Sequence, residues 1–158
     1  MSAFKQTVEA DLDRRAVSDI LVTAFDRTYG GCNYWLNEFA AESEGSPERL
    51  LRVVVHEDGE REWSAVILHF ARSAEPLTVF NRGRSLVHLG ALGEQVTRTV
   101  AVAKEQLDWA WSEVMCRYGH TETARQLRQA MVTGDLDIDA EGADVLVQVA
   151  LFGDIVYG

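Results

Sequence analysis

The sequence predicts an α+β domain: an antiparallel sheet of about four short strands packed against helices, with a buried C-terminal helix. Three observations carry that prediction. The order runs from one helix through strands to further helices, and such segregation suits an antiparallel sheet covered by helices. The apolar period changes from two to helical at Leu92. The final stretch, DAEGADVLVQVALFGDIVYG from Asp139 to Gly158, has only Asp144 and Gln148 as polar residues between Ala143 and Phe152. A helix apolar nearly all round belongs inside a protein.

The first helix is expected from Asp11 to Arg27. Leu12, Ala16, Ile20 and Ala24 recur every four residues, with Val17, Leu21 and Phe25 one step behind. Tyr29-Gly30-Gly31 stops it, with paired glycines giving a left-handed exit. Cys32 to Leu36 follows and delivers two adjacent aromatics, Tyr34 and Trp35. They either seal a core edge or form an aromatic platform facing a ligand. Glu42 to Arg49 is polar, contains Gly45 and Pro47, and reads as a loop.

Val53-Val54-Val55 marks a strand from Leu51 to Glu57, and Asp58-Gly59 reads as a two-residue hairpin turn. The return strand, Glu60 to Phe70, is apolar on both faces, which predicts a central or doubly covered position. Leu77 to Phe80 and Ser85 to Leu89, joined through Asn81-Arg82-Gly83-Arg84, read as a shorter hairpin. Leu92 to Tyr118 then reads as a long amphipathic helix, kinked or divided near Ala103. Its heptad-like seam is Val96, Val100, Ala103, Leu107, Ala110 and Val114. Trp109 and Trp111 point to different sides of that helix, so one of them falls at an edge. Gly119 ends it. Thr121 caps a helix from Glu122 to Thr133, which Gly134 ends. Asp139 caps the last helix, and Glu141 in its first turn suits the helix dipole. Gly153 ends that helix, and Ile155 to Tyr157 reads as a short strand.

A chain of 158 residues fits a single domain, 1–158, able to bury about two thirds of its unfolded surface. Hydrophobic residues make up 47% and charged residues 25%, a globular balance. No apolar run approaches the ~20 residues of a membrane span. The start, MSAFKQTVEADLDRR, lacks the apolar core of a signal peptide, so an intracellular site is expected. With 25 acids against 15 bases, the net charge of −10 disfavours nucleic acid as a partner, since such binding needs Lys and Arg against phosphates. Cys32 and Cys116 lie far apart, outside any CxxC pair, and read as two reduced, buried thiols.

Asp144 and Gln148 are four apart and stack on one helix face. A buried carboxylate needs a cation, backbone donors or a hydroxyl. Arg14 or Arg15 of the first helix is a plausible partner. The pair reads first as a structural clasp, and otherwise as the polar floor of a ligand pocket with Tyr34 and Trp35 beside it. Asp135-Leu136-Asp137-Ile138-Asp139 imitates the start of a calcium loop. However, Ala140 stands where glycine is required, and Leu146 where a bidentate Glu is required. No metal site is assigned there. None is assigned to His56, His69, His88 and His120, although His69 and His88 both fall on expected strands. There is no G-x-S-x-G, phosphate-binding glycine loop or H-E-x-x-H. Arg82-Gly83-Arg84 reads first as a solvated turn, and otherwise as an anion site at a hairpin tip. No catalytic residue and no cofactor is assigned.

Two segments carry a family resemblance. Asp139-Ala140, Ala143-Asp144-Val145, Gln148 and Ala150 to Gly158 match a terminal signature D-A-x-x-A-D-V-x-x-Q-x-A-L-F-G-E-I-V-Y-G, with Asp154 in place of Glu. Asp19-Ile20-Leu21, Thr23-Ala24, Gly30-Gly31 and Tyr34-Trp35 match an earlier one. In both, the chain resembles a group of uncharacterised small proteins of tailed bacteriophages. The resemblance implies phage or prophage origin and residence in the host cytoplasm, and it implies no mechanism. Both segments place glycine beside aromatics, so the first helix and its Gly-Gly exit are expected to pack directly on the last helix. The expected function is a non-catalytic interaction protein that binds a host or phage protein, host-defence inhibitors being one such class. The alternatives are a binder of a small ligand or nucleotide through Tyr34, Trp35, Asp144 and Gln148, or an enzyme of unrecognised type. The heptad-like seam offers a homodimer through the Leu92–Tyr118 helix as a further partner.

Overall fold

A computed structural model describes residues 10–42, 51–59, 61–70, 86–92 and 95–158. It is a mixed α+β fold with an antiparallel sheet. In chain order the elements are α1 (Arg14–Phe25), α2 (Asn33–Glu42), β1 (Leu51–Glu57), β2 (Trp63–Phe70), β3 (Leu86–Leu92), β4 (Gln95–Ala103), α3 (Lys104–Arg117), α4 (Glu122–Thr133) and α5 (Ala140–Phe152). The expected loop at Glu42 to Arg49 and the expected strand at Leu77 to Phe80 fall almost wholly outside the described residues, as does the Arg82-Gly83-Arg84 turn. Among the described residues no helix is long and apolar enough to cross a membrane.

The sheet order is β1-β2-β4-β3, so β2 is an interior strand with a paired neighbour on each side. Val66 pairs with Val102 and Leu68 with Val100, and all four are buried beneath the helices. On the opposite face Ala65 pairs with Ala103 and Ile67 with Ala101. The β1–β2 turn differs from expectation. Asp58 N donates to Glu62 O at 2.8 Å, and positive φ falls on Arg61 at 65° rather than on Gly59. The turn is therefore longer than two residues, and β2 begins at Trp63.

The expected long helix is corrected. Residues 95–103 are a strand, and only 104–117 are helical. Val96, Thr97, Thr99, Val100 and Val102 are β-branched and suit an extended chain paired on both sides. Gln106 Oε1 accepts from Ala103 N at 2.9 Å where strand becomes helix. The seam proposed for a homodimer is accordingly split between two elements. Its helical part, Leu107, Ala110 and Val114, is fully buried in the shared core, with α3 packed on α5.

Helix ends follow local chemistry. Asp13, Thr121 and Asp139 accept from the backbone N–H groups of Ala16, Ala124 and Gly142 at 2.8, 3.2 and 2.7 Å. Gly134 and Gly153 close α4 and α5 in the left-handed region, at φ 78° and 74°. Helix α1 stops earlier than expected, at Phe25, and α2 was not foreseen. Among the described residues Ile155 to Tyr157 pairs with no strand.

Helix α5 packs on α1, α3, α4 and β4. Leu146, Val147, Val149, Ala150 and Leu151 are all buried, as are Asp144 and Gln148. At ~25 cal/mol per Å² of apolar surface, each fully buried Leu or Val contributes roughly 1.5–3 kcal/mol.

Candidate functional site

The Gly30-Gly31 turn brings the sequence-nominated residues together by a different route from the one expected. Neither glycine has positive φ. Both are needed for close approach. A Cβ on Gly31 would fall 2.0 Å from the backbone oxygen of Ala140, and one on Gly30 would lie 2.6 Å from the oxygens of Ala24 and Asp26. Gly31 N donates to Thr23 O and Cys32 N to Ala24 O, each at 2.9 Å, so the chain folds back along the end of α1. The Asn33 amide donates to Asp26 O at 2.8 Å. Cys32, Trp35 and Leu36 are spaced for one helix face, and all three are buried. Tyr34 is on the rim, 48% exposed.

Asp144 sits on α5 facing this turn. Tyr34 OH donates to its Oδ2 at 2.7 Å. Trp35 Nε1 donates to its Oδ1 at 2.9 Å, and Gln148 Nε2 donates to the same oxygen at 3.0 Å. These three neutral donors replace the arginine expected from α1. Arg14 instead pairs with Asp58 at 3.1 Å and Glu62 at 3.5 Å, at the β1–β2 turn. Three donors on a carboxylate solvate its charge without a cation.

Gln148 joins this centre to the last residues. Its Oε1 accepts from Val156 N at 2.8 Å and Tyr157 N at 2.7 Å, and its Nε2 donates to Tyr157 O at 3.1 Å. One side-chain amide thus satisfies the backbone of the stretch read as a strand, in the way a neighbouring strand would. Tyr157 stacks on Trp35, with ring centroids 5.3 Å apart and planes 4° apart. Phe152 meets both rings edge-on, at 5.7 and 5.9 Å. Such aromatic pairs add about 0.5–1.5 kcal/mol each beyond burial. The expected packing of residues 20–35 on the last helix is present in these contacts.

Burial, and then the bond to Asp144, push the Tyr34 hydroxyl well above its ordinary pKa. Burial, and then the nearby Asp144 carboxylate, push the Cys32 thiol well above its own. Both groups are thereby held protonated and unreactive at neutral pH. Cys116 is exposed, which corrects the expectation of two buried thiols; both cysteines are free.

A pocket of ≈470 Å³ opens beside this network. Tyr34, Asp144 and Tyr157 line it, together with Glu122, Glu141 and Tyr118. Trp35 and Gln148 lie behind it, fully buried. Its charged lining is acidic throughout. At its edge Tyr118 OH donates to Asp154, and Arg117 Nη1 donates to Gly153 O at 2.6 Å.

Among the described residues no group of three His, Cys, Asp or Glu converges as metal ligands. His56 and His120 are exposed. His69 and His88 both pair in register with Thr99, from opposite sides of β4. Tyr157 and Phe152 were missed as members of the site. The available signal was an aromatic on each side of a glycine C-cap. No family model, curated protein or solved structure matches this chain.

Proposed function

We propose that this is a non-catalytic interaction protein, phage-encoded, that binds a host or phage protein in the host cytoplasm. Inhibition of a host-defence factor is one role of that kind. The observation that carries the reading is the state of Asp144. Among the described residues it is the one buried carboxylate, and three donors occupy its two oxygens. A carboxylate offers about four acceptor sites, and Asp144 spends three of them on bonds within the fold. Asp144 is a fastener for α2, α5 and residues 155–157. Among the described residues most acids are exposed, where they act on partners by steering and selection. The phage assignment is supported by the two resembling segments.

The test is capture in a bacterial host. Tagged protein is crosslinked in cells and purified, and any recovered protein is recombined from pure components. One partner in near-equal amount, with a reconstituted complex that weakens at high salt, is expected. Recovery of the chain alone at every salt concentration would remove the proposal.

The second reading is a small-ligand site in the pocket lined by Tyr34 and Asp144, favoured by its volume of ≈470 Å³. Its charges decide the ligand class. Glu122, Glu141 and Asp144 line it without Lys or Arg, so a nucleotide phosphate would be repelled and an organic cation attracted. A thermal-shift series separates them, because a ligand that binds only the folded state raises Tm. A rise with nucleotides would refute this charge argument.

A further inference from the structure

A larger cleft, of ≈850 Å³, opens between the start of α1, Trp111 of α3, the end of α4 and the chain from Gly134 to Asp137. Its apolar lining includes Leu12, Ala16, Trp111, Met131 and Leu136. Leu12 and Trp111 are buried, whereas Met131 is 54% exposed and its neighbour Val132 87% exposed, so the apolar surface continues out of the cleft. Its charged lining is Asp11, Asp13, Asp19, Asp135 and Asp137 against Arg15 alone.

Two of these acids already have partners. Asp13 caps α1, and Asp11 meets Lys104 Nζ at 2.6 Å. Asp19, Asp135 and Asp137 are exposed, and their carboxylates make no hydrogen bond or ion pair among the described residues. A second observation is independent of the acids. Trp111 is 96% buried, and its indole N–H meets no acceptor among the described residues. That N–H is itself shielded from solvent, so what Trp111 offers the cleft is apolar ring surface.

Several carboxylates around one cleft attract a cation together. The apolar lining is wrong for a hydrated metal ion. The combination suits a ligand with cationic groups outside and an apolar group inside. A polypeptide with Lys or Arg flanking an apolar residue has both. We propose that this cleft docks a basic, apolar-anchored polypeptide segment of a partner protein. The inference rests on the interaction reading above and adds the site and the partner chemistry.

The experiment uses the whole chain and a short fluorescein-labelled peptide of alternating arginine and leucine, followed by anisotropy. An arginine–serine peptide of equal charge is the comparison. Asp135→Lys with Asp137→Lys, and separately Met131→Ser, alter exposed cleft residues and are checked for folding by circular dichroism. Glu57→Lys with Glu105→Lys makes the same charge change outside the cleft, also at exposed positions. The expected result is a loss of about tenfold in affinity for each cleft variant and less than about twofold for the control. The arginine–leucine peptide binds about tenfold tighter than the arginine–serine peptide. Equal weakening by both charge-reversed pairs would overturn the cleft assignment while leaving the interaction reading intact. Equal binding of the two peptides would overturn the apolar anchor. Self-association that Asp135→Lys with Asp137→Lys abolishes, seen by sedimentation, would overturn the proposal in favour of a second copy of this chain.

Discussion

Asp144 makes its contribution through three neutral donors, and that fixes how its substitutions should behave. Asp144→Ala leaves Trp35 Nε1 without its acceptor in the interior and removes the partner of Tyr34 OH. Hydrogen bonds to a charged group are worth about 1.5–3 kcal/mol, so the change should cost about 3 kcal/mol in urea unfolding. Asp144→Asn keeps the shape, its oxygen facing Trp35 and Gln148 and its amide facing the Tyr34 hydroxyl oxygen. It should cost only about 1 kcal/mol. A loss below about 0.5 kcal/mol for the alanine variant would mean that this carboxylate does not fasten the fold.

The same centre sets the response to alkali. Tyr34 and Cys32 both have pKa values raised above their ordinary 10.0 and 9.0, chiefly by burial and next by Asp144. A raised folded pKa means the folded state holds a proton that the unfolded chain releases. The stabilisation is complete below the unfolded values and is lost as pH rises past them. Stability should therefore fall from about pH 9 upward. Tyr34→Phe with Cys32→Ala should flatten that fall in denaturant titrations at pH 8 and above. An unchanged slope would show that other groups control it.

At the scale of elements, the joint between the α1–α2 turn and α5 depends on the absence of a side chain. Gly31→Ala would drive a Cβ into the backbone oxygen of Ala140, which no rotamer change relieves. A cost of about 3 kcal/mol or more is expected, read as a lowered Tm. Gly59→Ala is the matched control, because nothing lies within 4 Å of its added Cβ, and it should stay within about 0.5 kcal/mol. Element boundaries show where local pattern was enough. Thr121, Gly134, Asp139 and Gly153 cap helices as expected, because a cap is satisfied by atoms a few residues away. β4 was misread because Val96, Val100 and Ala103 also fit a helical period. What decided between the readings was pairing with β2 and β3.

For the whole molecule, α5 is shared by α1, α3, α4 and β4, so loosening it exposes every layer at once. Unfolding should be cooperative. Circular dichroism and tryptophan fluorescence, the latter reporting Trp35, Trp63, Trp109 and Trp111, should give coincident transitions in urea. Separate transitions would mean that the sheet and the helices unfold independently.

Composition, period and caps determined the mixed fold class, the ends of α4 and α5 and the nomination of Tyr34, Trp35, Asp144 and Gln148, since each depends on neighbours close along the chain. Only the tertiary structure decided which donors meet Asp144, that Gln148 satisfies residues 156 and 157, and that α1, α3 and α4 enclose an acid-lined cleft. Hydrogen bonds between residues more than a hundred positions apart, such as Tyr34 to Asp144, leave no periodic trace. They exist only after the chain has closed, and the sign of a surface is set by where its acids converge rather than by how many there are.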